Sequence, residues 1–268
     1  MAIIAISRGT FSGVEALAQC LVERLGYRCI SREVIIEAAK AYGVSTEKLT
    51  AVMEKPPSFW EWLGGERAAY LIFFRAALCE HAREGNLVYH GHVGHLLLPG
   101  ISHVIRVRVV ADMEFRIKAG MQLQNLARKD VISYIQKVDN ERMQWAKFLF
   151  HVEWNDPNLY DVVLNLNRMS IATACDIVAR MTEREEFKPT AESLKAMQDL
   201  ALGSRVSAVL ARDGRTMTTE LRVAADGGIV TIGGATASRE VANAVPLVVG
   251  QVEGVKEVRN EVRFGRTP

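Results

Sequence analysis

The first apolar run of the chain is short and leads into an amphipathic stretch. Residues 2–6 are continuously apolar and end at Ser7, which is typical of a buried strand. Beyond Gly13 the apolar residues recur at three- and four-residue spacing: Val14, Leu17, Ala18, Leu21 and Leu25. This spacing predicts a helix, which Gly26 is placed to end. A strand, a glycine-containing turn and a helix in this order are how α/β nucleotide-binding folds begin.

Apolar runs and helical patterns keep alternating up to residue 187. The runs that predict strands are residues 87–89, 104–110 and 160–166. The patterns that predict helices include residues 66–83, 128–151 and 170–185. Strands separated by helices pair in parallel through crossover connections, so residues 1–187 are predicted to form a three-layer α/β domain. Residues 188–194 are mostly polar and contain Pro189, and we predict that they form a linker.

After the linker the pattern predicts a smaller α+β domain over residues 195–268. An amphipathic helix over 194–211 is followed by an alternating strand and by the hairpin signal Asp226-Gly227-Gly228. A return strand, a helix over 238–250 and a last strand over 255–264 complete an α-β-β-α-β order. A unit of about 70 residues is large enough to fold around one modest core.

Composition and charge restrict the functions that the chain can have. The 268 residues carry a formal net charge of +2, so no global attraction to nucleic acid or acidic lipid is expected, and we predict no nucleic-acid partner. The four cysteines contain no CxxC pair, which argues against a disulfide framework or a zinc framework. The sequence has no signal-peptide pattern and no apolar run of about 20 residues, so we expect a soluble, cytoplasmic protein.

The N-terminal segment resembles a known family. Residues 3–35, IAISRGTFSGVEALAQCLVERLGYRCISREVI, resemble the start of cytidylate kinase-like proteins. The likeness continues through LVYHGHVGHLLL (87–98), VIRVRVVADMEFRI (104–117), VDNERMQWAKF (138–148) and WNDPNLYDVVLNLNRMS (154–170). It implies a P-loop kinase-like parallel sheet with a helical lid and cap. It also implies phosphoryl transfer from ATP, with Mg²⁺, to CMP or a related nucleoside monophosphate.

The resemblance assigns roles to particular residues of this sequence. The phosphate-binding loop corresponds to Ser7, Arg8, Gly9, Thr10, Ser12 and Gly13. The monophosphate-binding residues correspond to Arg32 and His92, and the catalytic basic residues to Arg8, Arg128 and Arg142. Phosphoryl transfer requires positioning and charge stabilisation more than covalent chemistry, which is why arginines and backbone amides dominate this set. For the basic residues of 128–151, an ordinary solvated helix face is the alternative interpretation.

The loop departs from the pattern G-x-x-x-x-G-K-[ST]. Val14 stands at the lysine position, Glu15 at the hydroxyl position and Phe11 where a glycine is expected. A carboxylate about 4 Å from a phosphate costs about 4 kcal/mol at an effective dielectric constant near 20. Ser7 and Arg8 match the cytidylate kinase-like variant of the loop, so the missing lysine alone does not decide the activity. Two hypotheses follow: a nucleoside monophosphate kinase, or a catalytically weak or inactive regulatory protein that keeps the kinase fold.

The histidines suggest a metal, but their surroundings do not favour one. His90, His92 and His95 follow a predicted strand, and imidazole is a common zinc ligand. Zinc needs three or four ligands, and no cysteine or carboxylate lies within this cluster, so we expect no metal site. A role for His92 in a ligand pocket and an ordinary turn or surface role are the alternatives.

Residues 196–264 resemble a BON domain. The pattern lies in Arg205-Val206, in DGGIVTIGGATAS (226–238) and in VEGVKEVRNEVRF (252–264). The resemblance implies an interaction module that binds a protein partner or a phospholipid surface. We also expect a homo-oligomer.

Overall fold

The computed structural model describes residues 2–43, 45, 47, 66–217 and 221–265. Contacts between residues divide the chain into two compact units. The first unit contains residues 2–34 and 84–190, and the second contains residues 35–47, 66–83 and 191–265, as far as they are described. None of the helices formed by the described residues is both long and apolar enough to cross a membrane.

Strands and helices alternate through the described chain. The strands are β1 Ile3–Arg8, β2 Arg28–Ser31, β3 Leu87–His90, β4 Val104–Val110, β5 Val162–Asn165, β6 Leu221–Asp226, β7 Ile229–Thr236 and β8 Glu257–Phe264. The helices are α1 Val14–Leu25, α2 Arg32–Ala38, α3 Glu66–Ala82, α4 Gly94–Leu97, α5 Met113–Gln124, α6 Arg128–Phe150, α7 Ile171–Met181, α8 Ala191–Arg212 and α9 Arg239–Val249. Helix α8 begins within the segment 188–194 that we predict as the linker.

The first unit is built on a five-stranded parallel sheet with the order β2-β3-β1-β4-β5. Strand β1 lies in the centre, and its residues 3–7 are buried because both faces of the sheet are covered. The predicted three-layer α/β architecture is confirmed. The carboxyl ends of all five strands meet at one edge, where ligands bind in open parallel sheets.

Helix α1 follows β1 and is held against the sheet by the burial of its apolar face. Val14, Leu17 and Leu21 are completely buried and pack in one cluster with Ile4 and Val178. Helix α7 lies next to α1 on this side. The helix ends at Gly26, which adopts a left-handed conformation (φ 66°) and donates its amide to the Val22 carbonyl, as the sequence predicted.

Helices α5 and α6 lie beyond the carboxyl edge and form a small core of their own. Ile117, Val131 and Ile135 are buried there, and Phe11 packs against them. Gly120 allows this contact because a Cβ at its position would lie 2.6 Å from Val131 Cγ1 and 2.7 Å from the Phe11 ring. The side chain of Phe11 thereby links the loop after β1 to the helical lid.

The second unit contains a three-stranded sheet with the order β6-β7-β8. Strands β6 and β7 form an antiparallel hairpin, and β8 pairs in parallel with β7. The inner face of this sheet packs on helices α8 and α9 through buried residues that include Val206, Leu210, Val230, Ile232, Val245 and Val249. The predicted α-β-β-α-β order is confirmed.

Helix α3 also belongs to the second unit because it packs along α8. Arg205 donates from Nε and Nη2 to Glu80 Oε1, at 2.8 and 2.6 Å. Next to this ion pair the Ser204 hydroxyl contacts the buried thiol of Cys79 at 3.6 Å. Burial raises the pKa of Cys79 to about 11, so this thiol stays protonated.

Candidate phosphate-binding site

The loop between β1 and α1 lies at the carboxyl edge of the central strand. It turns through two left-handed residues, Phe11 (φ 57°) and Gly13 (φ 85°). The amide of Leu17 donates to the Gly13 carbonyl at 3.3 Å, which closes the first turn of α1. Amides that precede it in the turn have no helical acceptor, and the helix dipole adds positive potential at this end. The backbone here favours an anion.

Asp139 of α6 holds the middle of the loop. Its Oδ1 accepts a hydrogen bond from the Thr10 amide at 3.0 Å and from the Thr10 hydroxyl at 2.8 Å. Arg116 of α5 forms an ion pair with the same carboxylate and donates from Nε to the Thr10 carbonyl at 2.7 Å. Gly9 leaves room for this guanidinium, since a Cβ there would lie 3.3 Å from Arg116 Cζ. The loop is therefore fixed to both lid helices.

Arg142, one turn after Asp139 on α6, reaches the same loop. Its Nη1 donates to Thr10 Oγ1 at 3.1 Å and to the Arg8 carbonyl at 3.3 Å. Burial, together with the positive charges of Arg8 and Arg32 and against the attraction of Asp139, lowers the pKa of Arg142 to about 10. A guanidinium with that pKa is still charged at neutral pH. The charge of Arg142 therefore acts together with the charges of Arg8 and Arg32.

Arg8 and Glu15 neutralise each other at the start of α1. Arg8 Nη1 lies 2.6 Å from Glu15 Oε1, and the side chain of Glu15 is 55% exposed. Arg8 Nε is buried and has no hydrogen-bond partner among the described residues. Val14, which precedes Glu15, is completely buried in the core and points away from the loop. The arginine of the loop is thus paired with Glu15, and the lysine position is occupied by a buried valine.

Ser7 lies beneath the loop and faces the protein interior. It is 1% exposed, and its hydroxyl oxygen accepts from Trp154 Nε1 at 2.9 Å and from Arg108 Nη1 at 3.3 Å. The Arg108 guanidinium lies 3.8 Å from the centroid of the Trp154 ring, a cation–π contact. The Tyr160 hydroxyl approaches Ser7 at 3.4 Å and donates to the Trp154 carbonyl at 2.8 Å. This network fixes the end of β1.

The structure brings most of the predicted residues to one edge and leaves one apart. Arg142 contacts both Arg8 and Thr10, and the buried hydroxyl of Ser12 in the same loop has no hydrogen-bond partner within the described part of the chain. Arg128 begins α6 and donates from Nη1 to Glu114 at 3.0 Å in an exposed ion pair. Arg128 and Arg142 are fourteen positions apart on α6, which corresponds to about 21 Å along the helix axis.

The two residues predicted to bind the monophosphate follow neighbouring strands. Arg32 comes directly after β2 and lies 3.4 Å from Glu33. His92 comes after β3 and is half-buried, with both ring nitrogens buried, and it packs against Trp154 edge-to-face with the centroids 5.2 Å apart. Burial, and then the charge of Arg142, hold the pKa of His92 well below its usual range. His92 is therefore neutral and can contribute a hydrogen bond but no charge.

Arg116, Arg108 and Trp154 belong to the site, although the sequence motifs assign them no role there. Asp112 caps α5 by accepting from the Phe115 amide at 2.7 Å, and this places Arg116 in the first turn of that helix. Arg116 could have been found from the sequence, because an N-cap aspartate after a buried strand predicts a helix with this arginine in its first turn. The contacts of Arg108 and Trp154 with Ser7 span more than a hundred residues, and no local pattern predicts them.

The side chains of the loop do not match those that bind ATP and Mg²⁺ in an active kinase. Mg²⁺–ATP requires a cation and a hydroxyl in the first turn of α1, where Val14 and Glu15 stand. The Thr10 amide, which would point at a phosphate, is occupied by Asp139. Among the described residues no three histidines, cysteines or carboxylates are placed to hold a metal ion. The loop therefore does not fit Mg²⁺–ATP in the usual way.

Comparisons with known proteins agree with this fold. The sequence model of the cytidylate kinase-like family matches residues 3–168, and that of the BON domain matches residues 198–266. No curated protein matches the chain. An uncharacterized protein from Eubacterium ventriosum is similar in structure, with 20% identity and a TM-score of 0.52 over 69% of this chain and 100% of that chain. This similarity shows a shared fold.

Shikimate kinases are also similar in structure. The enzyme from Bacteroides thetaiotaomicron has 12% identity and a TM-score of 0.42 over 68% of this chain and 99% of that chain. The enzyme from Acinetobacter baumannii, solved with shikimate, has 12% identity and a TM-score of 0.42 over 70% and 97%. The family match spans more than half of the sequence. The chain therefore belongs to the cytidylate kinase-like family, with a P-loop kinase-like fold and a C-terminal BON domain.

Proposed function

We propose that this protein binds a nucleoside monophosphate such as CMP and has little or no phosphoryl-transfer activity. The observation that carries the proposal is the 2.6 Å ion pair between Arg8 and Glu15, which neutralises a cation of the loop while the position of the kinase lysine holds Val14. The binding half of the proposal rests on three arginines, Arg8, Arg32 and Arg142, which we call the arginine cluster.

The arginine cluster is suited to a phosphate monoester. The charges of Arg8 and Arg32 both act on the buried guanidinium of Arg142, which lowers its pKa. A dianionic phosphate placed among them would relieve this repulsion, and guanidinium groups bind phosphate oxygens in pairs. The neutral imidazole of His92 supplies a further hydrogen-bonding group next to Arg142.

The loop is poorly suited to phosphoryl transfer. Transfer depends on cations and amides that surround the β- and γ-phosphates. Here the carbonyls of Arg8 and Thr10 are held by Arg142 and Arg116, and the Thr10 amide by Asp139. A triphosphate would have to displace these contacts and also approach the Glu15 carboxylate.

A kinase that transfers phosphate from ATP to CMP is the second candidate. Arg8 and Arg142 remain at the loop, which favours it, and ATP and Mg²⁺ would then be its cosubstrate and metal. In either case we propose that the BON domain provides the contact to a protein partner or a phospholipid surface. Turnover measurements separate the two candidates.

Replacing Glu15 with alanine is expected to tighten the binding of ATP about tenfold. The carboxylate repels phosphates, but its exposure reduces the effect well below the value for a buried charge. Removing it also frees Arg8. Isothermal titration of the full chain with ATP and with CMP measures both affinities, and a coupled assay measures transfer.

The matched control is Glu23→Ala, at an exposed glutamate near the other end of α1 that accepts a hydrogen bond from Gln19. It should leave both affinities unchanged. A wild-type turnover near 1–100 s⁻¹, the usual range of about two decades for kinases, would establish the second candidate instead. Failure to bind CMP at millimolar concentration would contradict the binding half of the proposal.

A further inference from the structure

Strand β8 is an edge strand with an alternating charge pattern. The sheet order β6-β7-β8 places it at one side, and within the described part of the chain no strand pairs with its outer edge. Its side chains on the solvent face are Glu257, Arg259, Glu261 and Arg263. Val258 and Val262 alternate with them and pack on the core of the second unit. Long, exposed edge strands are templates for pairing with another strand.

The backbone of β8 shows which residues face outward. The amides of Glu257 and Gly265 donate to β7 and its preceding turn, at 3.4 Å to the Gly228 carbonyl and at 3.1 Å to the Thr236 carbonyl. Odd-numbered residues therefore direct their amides and carbonyls toward β7. The even-numbered residues 258, 260 and 262 direct theirs toward the open edge, where a further strand would bind.

We propose that a second copy of this chain pairs with β8 in an antiparallel, two-fold symmetric arrangement centred on Asn260. In this register Val258 lies opposite Val262 of the partner subunit, so the outward amides and carbonyls of both strands meet. Glu257 then lies opposite Arg263 of the partner subunit, and Arg259 opposite Glu261 of the partner subunit. The two sheets become one continuous six-stranded sheet.

The charge sequence selects this register among its alternatives. A two-fold centre at Arg259 or Glu261 would keep the backbone match but would place like charges opposite each other. Centres at Val258 or Val262 keep the backbone match but form half as many ion pairs. Opposite charges that face each other across strands stabilise pairing, and like charges oppose it. The strand is thus complementary to itself, as an isologous interface requires.

One contact must change when the dimer forms. Asn260 is anchored to α9 by a hydrogen bond from Nδ2 to the Ala242 carbonyl at 2.9 Å, and its Oδ1 accepts from the Val262 amide at 3.2 Å. The second bond covers one outward amide while the edge is open. On pairing, the Val262 amide transfers to the Val258 carbonyl of the partner subunit, and the anchor to α9 remains. Arg259 and Glu257, which form an ion pair at 2.8 Å, then also face the opposite charges of the partner strand.

Sedimentation equilibrium of the full chain over a wide concentration range tests this proposal. The wild type should show a monomer–dimer equilibrium. Arg259→Glu should raise the dissociation constant about tenfold or more, because two attractive cross-strand pairs become repulsive. Glu261→Arg alone should do the same, and the double variant should recover the wild-type constant because opposite charges face each other again. Thermal unfolding of each variant checks that the fold is retained.

Hydrogen exchange supplies a second readout at the level of single residues. The amides of Val258, Asn260 and Val262 should become more protected as the protein concentration rises, while the β7-facing amides of β8 stay constant. A protein that remains monomeric throughout, or a dimer whose constant is unaffected by Arg259→Glu, would overturn the proposal. So would a double variant that dimerises no better than either single variant.

Discussion

Replacement of Asp139 by alanine is expected to destabilise the first unit by about 3 kcal/mol. The carboxylate accepts from the Thr10 amide and hydroxyl and pairs with Arg116, and the side chains of Asp139 and Arg116 are only 19% and 12% exposed. Removing one partner of such a pair leaves the other charge without compensation in a poorly solvated place. A loss of this size lowers the melting temperature by roughly 6–12 °C in a unit of this length.

Two variants separate this effect from a general effect of removing an acid. Asp139→Asn keeps an acceptor for Thr10 but removes the charge, so its melting temperature should lie between those of wild type and Asp139→Ala. Glu114→Ala breaks the exposed pair with Arg128 and should leave the melting temperature unchanged. If Asp139→Ala melted with the wild type, the carboxylate would not be what fixes the loop to the lid helices.

The fold was predictable because its signals are local. The apolar runs of β1, β3 and β4 and the periodic face of α1 are each contained within a dozen residues. Parallel pairing then follows from the helices between the strands. The packing of α3 on α8 has no comparable signal, since an apolar helix face does not specify which helix covers it. Arg205 and Glu80 meet across 125 residues of sequence.

The candidate site was predictable only in part, for the same reason. The loop residues Arg8 to Gly13 lie where the motif placed them, because strand, turn and helix are consecutive. The residues that hold the loop come from α5 and α6, and Asp139 is 129 residues from Thr10. Arg128 and Arg142 looked equivalent in sequence because both are basic residues of one helix. Only the contact of that helix with the loop distinguishes them.

Acidification from pH 7 to pH 4.5 is expected to lower the free energy of unfolding by about 2.5 kcal/mol through His95, with a further loss through His92. Both imidazoles are buried and neutral. Burial lowers the pKa of His95 to about 3, with contributions from the charges of Arg106 and Arg108 against the attraction of Asp161. Burial and the charge of Arg142 hold the pKa of His92 well below its usual range.

The direction of this effect follows from where protons bind. In the unfolded chain a histidine takes up a proton below about pH 6.5. In the folded protein neither of these two does so until a much lower pH. Between pH 6.5 and 4.5 the unfolded state therefore binds more protons, and stability falls as the pH falls. Carboxylates begin to titrate at the lower end of this window, so the comparison of wild type with a histidine variant is what assigns the loss to an imidazole.

Urea denaturation at several pH values between 7 and 4.5 measures this loss. His95→Gln should reduce the slope of stability against pH, because this buried imidazole no longer takes up a proton on unfolding. The matched control is His151→Asn, at an exposed left-handed position after α6 where asparagine is tolerated, and it should leave the slope unchanged. A wild-type stability that stays constant down to pH 4.5 would mean that these imidazoles are protonated in the folded protein. His92 would then add a positive charge next to Arg142 and take part in anion binding as a cation.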